Sequence, residues 1–497
     1  MSFGPEMTPR EERQTTNRRE FRVSPATHPS SVPRDARIFV NRHLRLSRVH
    51  AIGFDLDYTL ASYRLNELDE LAYRVTREKL VVERGHPEAI RSFAYDPNFV
   101  QRGLVLDTRR GNLLKMDYHN YVVRATHGTR PLSAAERRAT YQARRVRTST
   151  DSYITVDTYF HRPEIYLYLQ LVDYHEAHSS EVDYEGLYRD VRAMIDKAHA
   201  DGSLKKEICA DPAKYLDADP LLPEFLRSLR EHGKHVFLLT NSEYFYTEVL
   251  LRHLIPTEDP DGWQEFFDLV VVDARKPRFF ARDAAGGTPI ESTTGTPVFS
   301  GGSVDWFEEQ LDAHGHQILY WGDHTYGDIL RSKKSVGWRT AMIVPELIHE
   351  QRVAERILPD LARLDAAISE RDRVVRDEHL RRVELGRLEW LMAGSAGSAP
   401  EVRRDVLRKL TQLQDQLRVF ADERDRLHEE ISSLDETCNA AYDLRWGPLF
   451  REGNELSRFA HQVRDFACIY TSRATNLLFY PDDAYFRAPM ERMPHER

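Results

Sequence analysis

Two carboxylates lie two residues apart, directly after a short apolar run. Asp55 and Asp57 occur in Ile52-Gly-Phe-Asp-Leu-Asp-Tyr-Thr59, so a strand ending here presents both of them at its carboxyl end. One aspartate in this position can attack phosphorus and form an aspartyl-phosphate. The second can protonate the leaving oxygen and then activate the water that releases phosphate. The pair predicts covalent hydrolysis of a phosphate monoester, with Asp55 as nucleophile and Asp57 as acid and base.

A second acidic motif suits a hard cation. Asp323 follows the apolar run Ile318-Leu-Tyr-Trp-Gly322, and Asp328 comes five residues later. Mg²⁺ prefers carboxylates and water as ligands. We expect Asp55, the main-chain carbonyl of Asp57 and Asp323 to provide the protein ligands, with Asp328 acting nearby through water. The cation would screen the carboxylates and orient the phosphoryl group.

Further polar residues are candidates for holding the phosphoryl group. Thr240, followed by Asn241 and Ser242, ends another apolar run, and its hydroxyl and adjacent N–H can bind a phosphoryl oxygen. Lys276 supplies a positive charge for the nucleophile and the transferring group. Taken singly, a threonine at a strand end is usually a helix cap, and a lysine before proline is usually a surface residue. The ordered combination of segments is what predicts a site.

One helical pattern carries another set of polar residues. Arg192, Asp196 and His199 are spaced by four and three residues, so they share one face of a helix over Tyr184–Ala200. Arginine can donate to purine O6 and N7. A carboxylate can accept from the N1–H of a 6-oxopurine. From spacing alone, an exposed ion pair across one helical turn is favoured over a base-binding role.

A parallel sheet is the element that must position these residues. Short runs that are nearly continuous in apolar residues are typical of strands buried on both faces. They occupy residues 49–55, 235–240, 268–273, 317–322 and 339–344. Helical patterns lie between them, and an open parallel sheet binds ligands at the carboxyl ends of its strands. The stretch between the first two runs is too long for a crossover, which predicts an inserted cap domain.

The chain therefore divides into five parts, and its fold class is α/β with a Rossmann-like parallel sheet. Residues 1–35 hold too little apolar surface to fold alone, which predicts a mobile arm. The expected parts after it are a core of 36–63 and 221–345, a cap of 64–220, a helical hairpin of 346–440 and a segment of 441–497 that packs on the core or a subunit interface. Helical spacing and a Gly- and Ser-rich breaker predict two long antiparallel helices over 346–392 and 401–440. A structural role for the hairpin is favoured, with a partner-binding arm as the alternative.

Composition excludes several classes of protein. A net charge of −9 over 497 residues argues against nucleic-acid binding, although a local basic pocket remains compatible with it. Three separated cysteines, Cys209, Cys438 and Cys468, make a disulfide framework or a zinc site unexpected and fit a reducing cytoplasm. We expect neither a signal peptide nor a membrane span, because no apolar run is long enough.

These motifs resemble the haloacid dehalogenase superfamily of phosphohydrolases and, within it, the cytosolic purine 5′-nucleotidases. The resemblance spans roughly residues 37–496 and weakens across the hairpin. It is carried by Phe39-Val-Asn-Arg, Gly53-Phe-Asp-Leu-Asp-Tyr-Thr-Leu-Ala61, Arg102-Gly-Leu, Gly111-Asn-Leu-Leu-Lys-Met-Asp117, Val272-Asp-Ala-Arg-Lys-Pro277, Gly322-Asp-His-Thr-Tyr-Gly-Asp-Ile-Leu330 and Asn476-Leu-Leu-Phe-Tyr-Pro481. It implies an Mg²⁺-dependent enzyme that hydrolyses purine nucleoside monophosphates, mainly IMP and GMP. Some members also transfer the phosphoryl group to another nucleoside.

The resemblance also assigns roles to residues. Asp55 matches the nucleophile, Asp57 the acid and base, and Asp323 the metal ligand with Asp328 beside it. Thr240, Asn241, Ser242 and Lys276 match phosphate-contacting residues. Phe160 matches an aromatic residue that stacks on the base, and Arg192, Asp196, His199 and Lys205 match the base- and substrate-contacting helix. The resemblance thereby overturns the ion-pair interpretation of Arg192 and Asp196. Many members are tetramers activated by nucleoside triphosphates.

Several positions depart from the family pattern. Ala200 stands where relatives carry a tyrosine, and His161 where they carry an asparagine, so a non-nucleotide phosphometabolite is the alternative substrate. Arg147, Lys334 and Gln462 match effector contacts, and Tyr326 and Phe466 keep the aromatic character of that site. Asp157 replaces an asparagine there, and its charge would repel a polyanion. A scaffold with a relict site ranks last, because every expected catalytic residue is present.

Overall fold

A mixed α/β architecture surrounds a central nine-stranded sheet. The structure, a computed structural model, describes residues 32–141, 146, 150–282, 285–394, 400–491 and 493–496. In chain order the strands are Phe39–Val40 (β1), Leu44–Arg45 (β2), Ala51–Phe54 (β3), Val105–Asp107 (β4), Asn112–Met116 (β5), Val122–His127 (β6), Arg130–Pro131 (β7), Tyr153–Thr155 (β8), His235–Leu239 (β9), Leu269–Val272 (β10), Thr288–Ile290 (β11), Val298–Ser300 (β12), Ile318–Gly322 (β13), Arg339–Ile343 (β14), Arg451–Glu452 (β15), Glu455–Leu456 (β16), Ile469–Thr471 (β17) and Tyr485–Phe486 (β18).

Helices cover the sheet, build most of the cap and form the hairpin. In chain order the α-helices are Leu65–Arg84 (α1), Ala134–Tyr141 (α2), His161–His178 (α3), Tyr184–Ala200 (α4), Ser203–Ala210 (α5), Pro212–Tyr215 (α6), Leu222–Glu231 (α7), Tyr244–Leu254 (α8), Val304–Leu311 (α9), Arg331–Val336 (α10), Leu347–Arg356 (α11), Leu358–Gly394 (α12), Pro400–Tyr442 (α13) and Arg458–Phe466 (α14). A π-helical turn, Thr325–Leu330, precedes α10. Among the described residues, no helix combines the length and apolarity that a membrane crossing requires.

The central sheet has the order β1-β17-β14-β13-β3-β9-β10-β12-β11. Strands β17 to β12 in this order run parallel, and β1 and β11 join antiparallel at the two edges. The five predicted strands are all present as β3, β9, β10, β13 and β14. Phe54 pairs with Trp321 on one side and Leu238 on the other, so the chain leaves these three strands at the same edge of the sheet.

The inserted cap begins and ends at one point of the core. Asp217 donates its N–H to the carbonyl of Ser62 over 2.8 Å, and Arg64 donates to Tyr215 over 2.7 Å. Between these contacts, an antiparallel sheet of order β7-β6-β5-β4-β8 packs with α1, α3 and α4. The helix α4 occupies the residues expected of it, whereas the antiparallel sheet was not predicted.

The C-terminal region contains the predicted pair of long helices, α12 and α13. The fold class is confirmed: a parallel-sheet α/β core, a large inserted cap and a helical C-terminal region. The hairpin starts later than predicted, because α11 ends at Arg356 and a new helix begins at Leu358. Pro359 explains the break, since proline has no N–H to continue the first helix but fits the first turn of the second. The 441–497 segment contributes β17 to the core sheet.

Candidate active site

A buried lysine sits between two carboxylates at the edge where the strands end. Nζ of Lys276 lies 2.9 Å from Oδ1 of Asp55 and 2.8 Å from Oδ1 of Asp328. The same nitrogen donates to the carbonyl of Leu239 over 3.1 Å and to the hydroxyl of Tyr320 over 2.7 Å. These partners order the ammonium group, so Lys276 is a fixed positive charge against the candidate nucleophile.

Burial dominates the protonation of this group of side chains. It raises the pKa of Asp55 to about 7, against the opposing effect of Lys276. The pKa of Asp323 lies well above its ordinary value for the same reason, although Arg102 opposes the shift. Burial works against the charge of Lys276 too, but Asp328 and Asp55 outweigh it and raise the pKa of the lysine. One ammonium group thus faces more carboxylates than it can neutralise.

The surplus of negative charge fits a cation. Asp55, Asp323 and Asp328 are all buried, and each can place one carboxylate oxygen within 4.8 Å of the others. Oδ2 of Asp323 is buried without a hydrogen-bond partner. A buried carboxylate oxygen without a donor is costly unless a cation or water meets it. An all-oxygen set of this kind suits a hard divalent ion.

The carboxylate of Asp57 bonds to two hydroxyl groups and is not part of that cluster. The hydroxyl of Tyr63 donates to Oδ1 of Asp57 over 2.6 Å, and the hydroxyl of Ser242 donates to Oδ2 over 2.7 Å. Tyr63 also bonds to the hydroxyl of Tyr246 over 2.9 Å. These two donors fix the orientation of the carboxylate, so its carbonyl is the group of Asp57 left for a cation. Sequence reasoning missed Tyr63, whose position at the entry to the cap gave no signal.

The three residues after β9 serve different contacts. Asn241 accepts from the N–H of Lys276 over 2.6 Å and donates to its carbonyl over 3.0 Å, which fixes the lysine main chain. Thr240 is fully buried, and its hydroxyl accepts from the N–H of Ser242 over 3.1 Å. Asn241 and Ser242 line the central cavity. Thr240 does not line it.

A cavity of about 370 Å³ lies between the core and the cap. Its core side carries Asp55, Asp57, Lys276, Asp323 and Asp328, which the sequence predicted together. Its cap side carries Phe160, Arg192, His199 and Lys205. The structure therefore brings the candidate phosphoryl site and most of the candidate base-binding side chains to the walls of one cavity.

Arg192 is held between two carboxylates, of which Glu164 lines the cavity and Asp196 does not. It donates to Oε2 of Glu164 over 2.9 Å and to Oδ2 of Asp196 over 3.1 Å. Glu164 is buried and also accepts from the hydroxyl of Tyr188 over 3.3 Å. Sequence reasoning missed Glu164. The available signal was a lone acidic residue in the first turns of α3, which are buried and otherwise mostly apolar.

Phe160, His199 and Lys205 complete the cap wall. The ring of His199 meets Phe160 edge-on, with centroids 5.8 Å apart. Burial, together with Lys205 and Arg192, lowers the pKa of His199 to about 4, which favours the neutral ring. Lys205 pairs with Glu243 at the start of α8, so the ammonium group lies between the cap and the core.

A buried arginine from the cap supports the acidic cluster. Arg102 donates to both oxygens of Glu346, over 2.8 and 2.6 Å, and to the carbonyl of Asp323 over 3.0 Å. Its guanidinium stacks on Tyr159 at 4.4 Å. This bidentate pair fixes the main chain at Asp323. Sequence analysis included Arg102 only as part of a family motif. Its role depends on contacts with Glu346 and Asp323, which are distant in the sequence.

Two of the departures from the family pattern contact each other. Oδ1 of Asp157 lies 3.5 Å from Nδ1 of His161, and its Oδ2 lies 3.9 Å from Nδ1 of His324. His161 lines the cavity. The exposed residue Ala200 ends α4. The changed residues at positions 157 and 161 therefore contact each other beside the cavity.

The candidate effector residues are only partly described. Arg147 lies outside the described residues. Nζ of Lys334 lies 4.9 Å from the centroid of Phe466, and Gln462 stands one turn before that aromatic residue on α14. Tyr326 is partly exposed and lines the central cavity. Lys334, Gln462 and Phe466 thus form a polar and aromatic surface beside the π-helical turn.

Comparison with known proteins agrees with this geometry. The model of the 5′ nucleotidase family matches residues 38–497, which is nearly the whole chain. The chain belongs to the 5′ nucleotidase family. Membership in this family makes it an enzyme of the nucleotide phosphatase class.

Relatives in the 5′ nucleotidase family align over most of the chain. A 5′-nucleotidase domain-containing protein of Dictyostelium discoideum is 29% identical over 494 residues, which cover 94% of this chain and 76% of the relative. The 5′-nucleotidase domain-containing protein 2 of Homo sapiens is 28% identical over 487 residues, covering 93% of this chain and 85% of the relative.

Solved structures match with low scores. A predicted phosphoglycolate phosphatase from Haemophilus somnus has a TM-score of 0.27 and 13% identity, and it covers 60% of this chain and 86% of its own. A β-phosphoglucomutase from Clostridium difficile has a TM-score of 0.24 and 11% identity, with 60% and 86% covered. The family assignment rests on the sequence match instead.

Proposed function

We propose that this chain is an Mg²⁺-dependent 5′-nucleotidase that hydrolyses purine nucleoside 5′-monophosphates, with IMP and GMP favoured. The observation that carries the proposal is the single cavity that joins two groups of residues. Asp55, Asp57 and Lys276 line it from the core, and Phe160 and Arg192 line it from the cap. A nucleotide has a phosphate and a base at opposite ends, so it matches this arrangement.

The residues of the chain supply the chemistry. A carboxylate oxygen of Asp55 forms a bond to phosphorus as the bond from phosphorus to O5′ breaks, and Asp57 gives a proton to the leaving oxygen. Asp57 then takes a proton from water as the water oxygen attacks phosphorus, which releases phosphate and restores Asp55. Lys276 balances the charge that builds on the transferring group. Replacing the water with a nucleoside hydroxyl would give phosphotransferase activity.

Mg²⁺ is the cation that we propose for the acidic cluster, with Asp55, Asp323, Asp328 and the carbonyl of Asp57 as the available ligands. When bound, it would screen the carboxylates and polarise the phosphoryl oxygens. The unpartnered oxygen of Asp323 and the all-carboxylate donor set support this assignment. Arg102 holds the main chain of Asp323 in place for it.

The cap wall recognises the base in this proposal. Phe160 stacks on the purine, Arg192 donates to O6 and N7, and Asp196 accepts from N1–H. His199, whose ring meets Phe160 edge-on, and Lys205 complete the substrate contacts of the cap. The neutral state of His199, favoured by its lowered pKa of about 4, leaves the ring free to accept a hydrogen bond.

A non-nucleotide phosphometabolite is the alternative substrate. The observation that favours it is the direct bonding of Arg192 to Glu164 and Asp196, which satisfies these groups without a base. The changed residues His161 and Ala200 also favour a non-nucleotide substrate. The phosphoryl chemistry would be unchanged, and only the contacts at the cap end of the cavity would differ.

Phosphate release from IMP, GMP, AMP, UMP, CMP and several sugar phosphates tests the proposal. Each substrate is assayed with and without Mg²⁺, beside Asp55→Asn. We expect release from IMP and GMP that requires Mg²⁺ and is abolished in the variant. Release from sugar phosphates alone would support the alternative, and release unaffected by Asp55→Asn would contradict the assigned nucleophile.

We further propose a cytoplasmic homo-oligomer with a nucleotide effector. Cys209, Cys438 and Cys468 are free thiols, as in a reducing compartment. Lys334, Gln462 and Phe466 offer a cation, an amide and an aromatic ring to a nucleoside triphosphate. A rise in activity on addition of ATP, lost in Lys334→Ala, is the expected result.

A further inference from the structure

The helical hairpin formed by α12 and α13, here called the arm, has two chemically different parts. We call residues 358–378 and 421–442 its shaft, and residues 379–394 and 400–420 its tip, because Arg424 pairs with Glu378 and Phe420 packs beside Val374. At about 1.5 Å per residue, the arm is on the order of 55 Å long. The two helices pack mainly on each other, and only Glu378 and six apolar residues are buried in them, namely Ala367, Val374, Leu413, Leu427, Leu434 and Cys438.

All of these buried residues except Leu413 belong to the shaft. Leu413 is the one buried residue among the described residues of the tip, although the tip is rich in large apolar side chains. Trp390 is 75% exposed, and Leu380, Val383 and Leu407 are exposed as well. A hairpin that buries most of its apolar core in one part and exposes apolar residues in the other has an incomplete core at its tip.

The exposed apolar residues of α12 lie on an accessible face. Val383 and Trp390 are seven residues apart, so they stand on the same side of the helix. Gly386, between them, has no heavy atom within 4 Å of the position that a Cβ would occupy. The face is therefore unobstructed and can receive the side chains of another helix.

The charges of tip and shaft are complementary. The tip holds eight Arg and Lys residues against five Asp and Glu residues. The shaft holds thirteen Asp and Glu residues against six Arg residues. The shaft also exposes apolar side chains, since Leu358 is 57% exposed and Val375 is 44% exposed. A basic apolar surface and an acidic apolar surface thus occur along one arm.

We propose that the arms of two copies of this chain pack antiparallel, with the tip of each on the shaft of the other. An antiparallel pair forms this contact twice by symmetry. It covers Trp390 and its neighbours with the exposed apolar residues of a shaft, and it sets basic tips against acidic shafts. The inference rests on the proposed homo-oligomer and specifies its interface.

Other kinds of partner would match the charge of only one part of the arm. An anionic membrane or a nucleic acid would suit the basic tip, but it would be repelled by the acidic shaft alongside. A second copy uses both parts. The partner that matches both the tip and the shaft is therefore the arm of a second copy of this chain.

Charge reversal in the full-length chain tests the proposal by light scattering coupled to size exclusion. The tip variant carries Arg387→Glu, Arg404→Glu and Arg408→Glu. The shaft variant carries Asp365→Lys, Asp372→Lys, Asp422→Lys, Glu429→Lys and Glu436→Lys, which bring the net charge of the shaft from −7 to +3. We expect each variant alone to show half the assembled mass of the wild type, since its tip and shaft then carry like charge. An equimolar mixture of the two is expected to recover the wild-type mass, because each tip again meets an opposite shaft.

Trp390→Glu tests the apolar part of the contact, with Val82→Glu on α1 as a matched exposed control. We expect at least a tenfold weaker association for the first and no change for the second. Wild-type mass in both reversed variants would overturn the arm interface while leaving a homo-oligomer through another surface. A monomeric wild type would overturn both proposals. Binding of the tip to anionic vesicles or RNA, with wild-type chains unassociated, would replace the second copy as partner.

Discussion

Oε2 of the buried Glu164 lies 2.9 Å from Nη1 of Arg192, and this contact sets the direction in which the arginine enters the cavity. Asp196 holds the opposite side of the same guanidinium. Arg192 is therefore positioned by two carboxylates of different exposure: Glu164 is buried, and Asp196 is open to solvent. A base that accepts from Arg192 meets a side chain that is already ordered, which reduces the entropy lost on binding.

Replacing Glu164 with glutamine is expected to weaken substrate binding. A charge-assisted hydrogen bond contributes about 1.5–3 kcal/mol when buried, and the partial exposure of Arg192 reduces this effect. We expect KM for the preferred monophosphate to rise about tenfold, with kcat changed less than twofold, in steady-state assays of phosphate release. Glu185→Gln, an exposed change on α4, is the control. A fall in kcat at constant KM would assign Glu164 to the chemical step instead.

Asp323→Asn is expected to stabilise the cation-free protein while removing its response to Mg²⁺. The change removes one of several buried carboxylates and replaces an unpartnered oxygen. We expect Tm without cation to rise by about 2–4 °C. Mg²⁺ should raise Tm of the wild type and leave that of the variant unchanged. Asp305→Asn, at an exposed ion pair, serves as control in the same thermal scans. An equal Mg²⁺ response in wild type and Asp323→Asn would refute the proposed ligand.

Asp157→Asn is expected to strengthen binding of a polyanionic effector. The variant removes a carboxylate that pairs with His161 and lies near His324. A like charge near a phosphate costs about 1 kcal/mol at high effective dielectric, so affinity for ATP should increase about fivefold. Isothermal titration calorimetry measures the change, with Asp151→Asn on an exposed turn as control. Weaker binding of ATP by Asp157→Asn would show that this carboxylate helps the effector to bind.

His199→Gln is expected to flatten the dependence of stability on pH. Because the pKa of His199 is lowered from 6.5 to about 4, the unfolded chain takes up a proton between these values while the native chain does not. The native state consequently loses stability as pH falls through this window, by at most about 3 kcal/mol. Urea unfolding at pH 7, 6, 5 and 4.5 measures the slope. His316→Gln, on an exposed turn, should retain the wild-type profile, and an unchanged slope in His199→Gln would contradict the assignment.

The sequence predicts the centre of the fold better than its periphery. The central strands β3, β9, β10, β13 and β14 are buried on both faces, so their apolar runs are visible without any structural knowledge. Short strands towards the edge of the sheet, such as β1 and β17, span two or three residues, and only their distant partners define them. A local pattern does not contain that information.

The same distinction holds for the site. Asp55, Asp57 and Asp323 follow buried strands, so strand order alone predicts that they meet. Glu164 and Arg102 act on partners 28 and 244 residues away, and no spacing rule connects such positions. The catalytic residues that directly follow a strand could be predicted. The residues of the cap that position other side chains could not.

The pairing of Phe39 with Tyr470 in β1 and β17 has a consequence for synthesis of the protein. Because β17 also separates β1 from β14, the first strand of the core has no place in the sheet until the residues around 470 have left the ribosome. The nascent chain must therefore carry an open sheet edge at β14 throughout translation of the arm. Exposed edges of this kind promote aggregation, so productive folding should depend on chaperones that shield the nascent chain until translation ends.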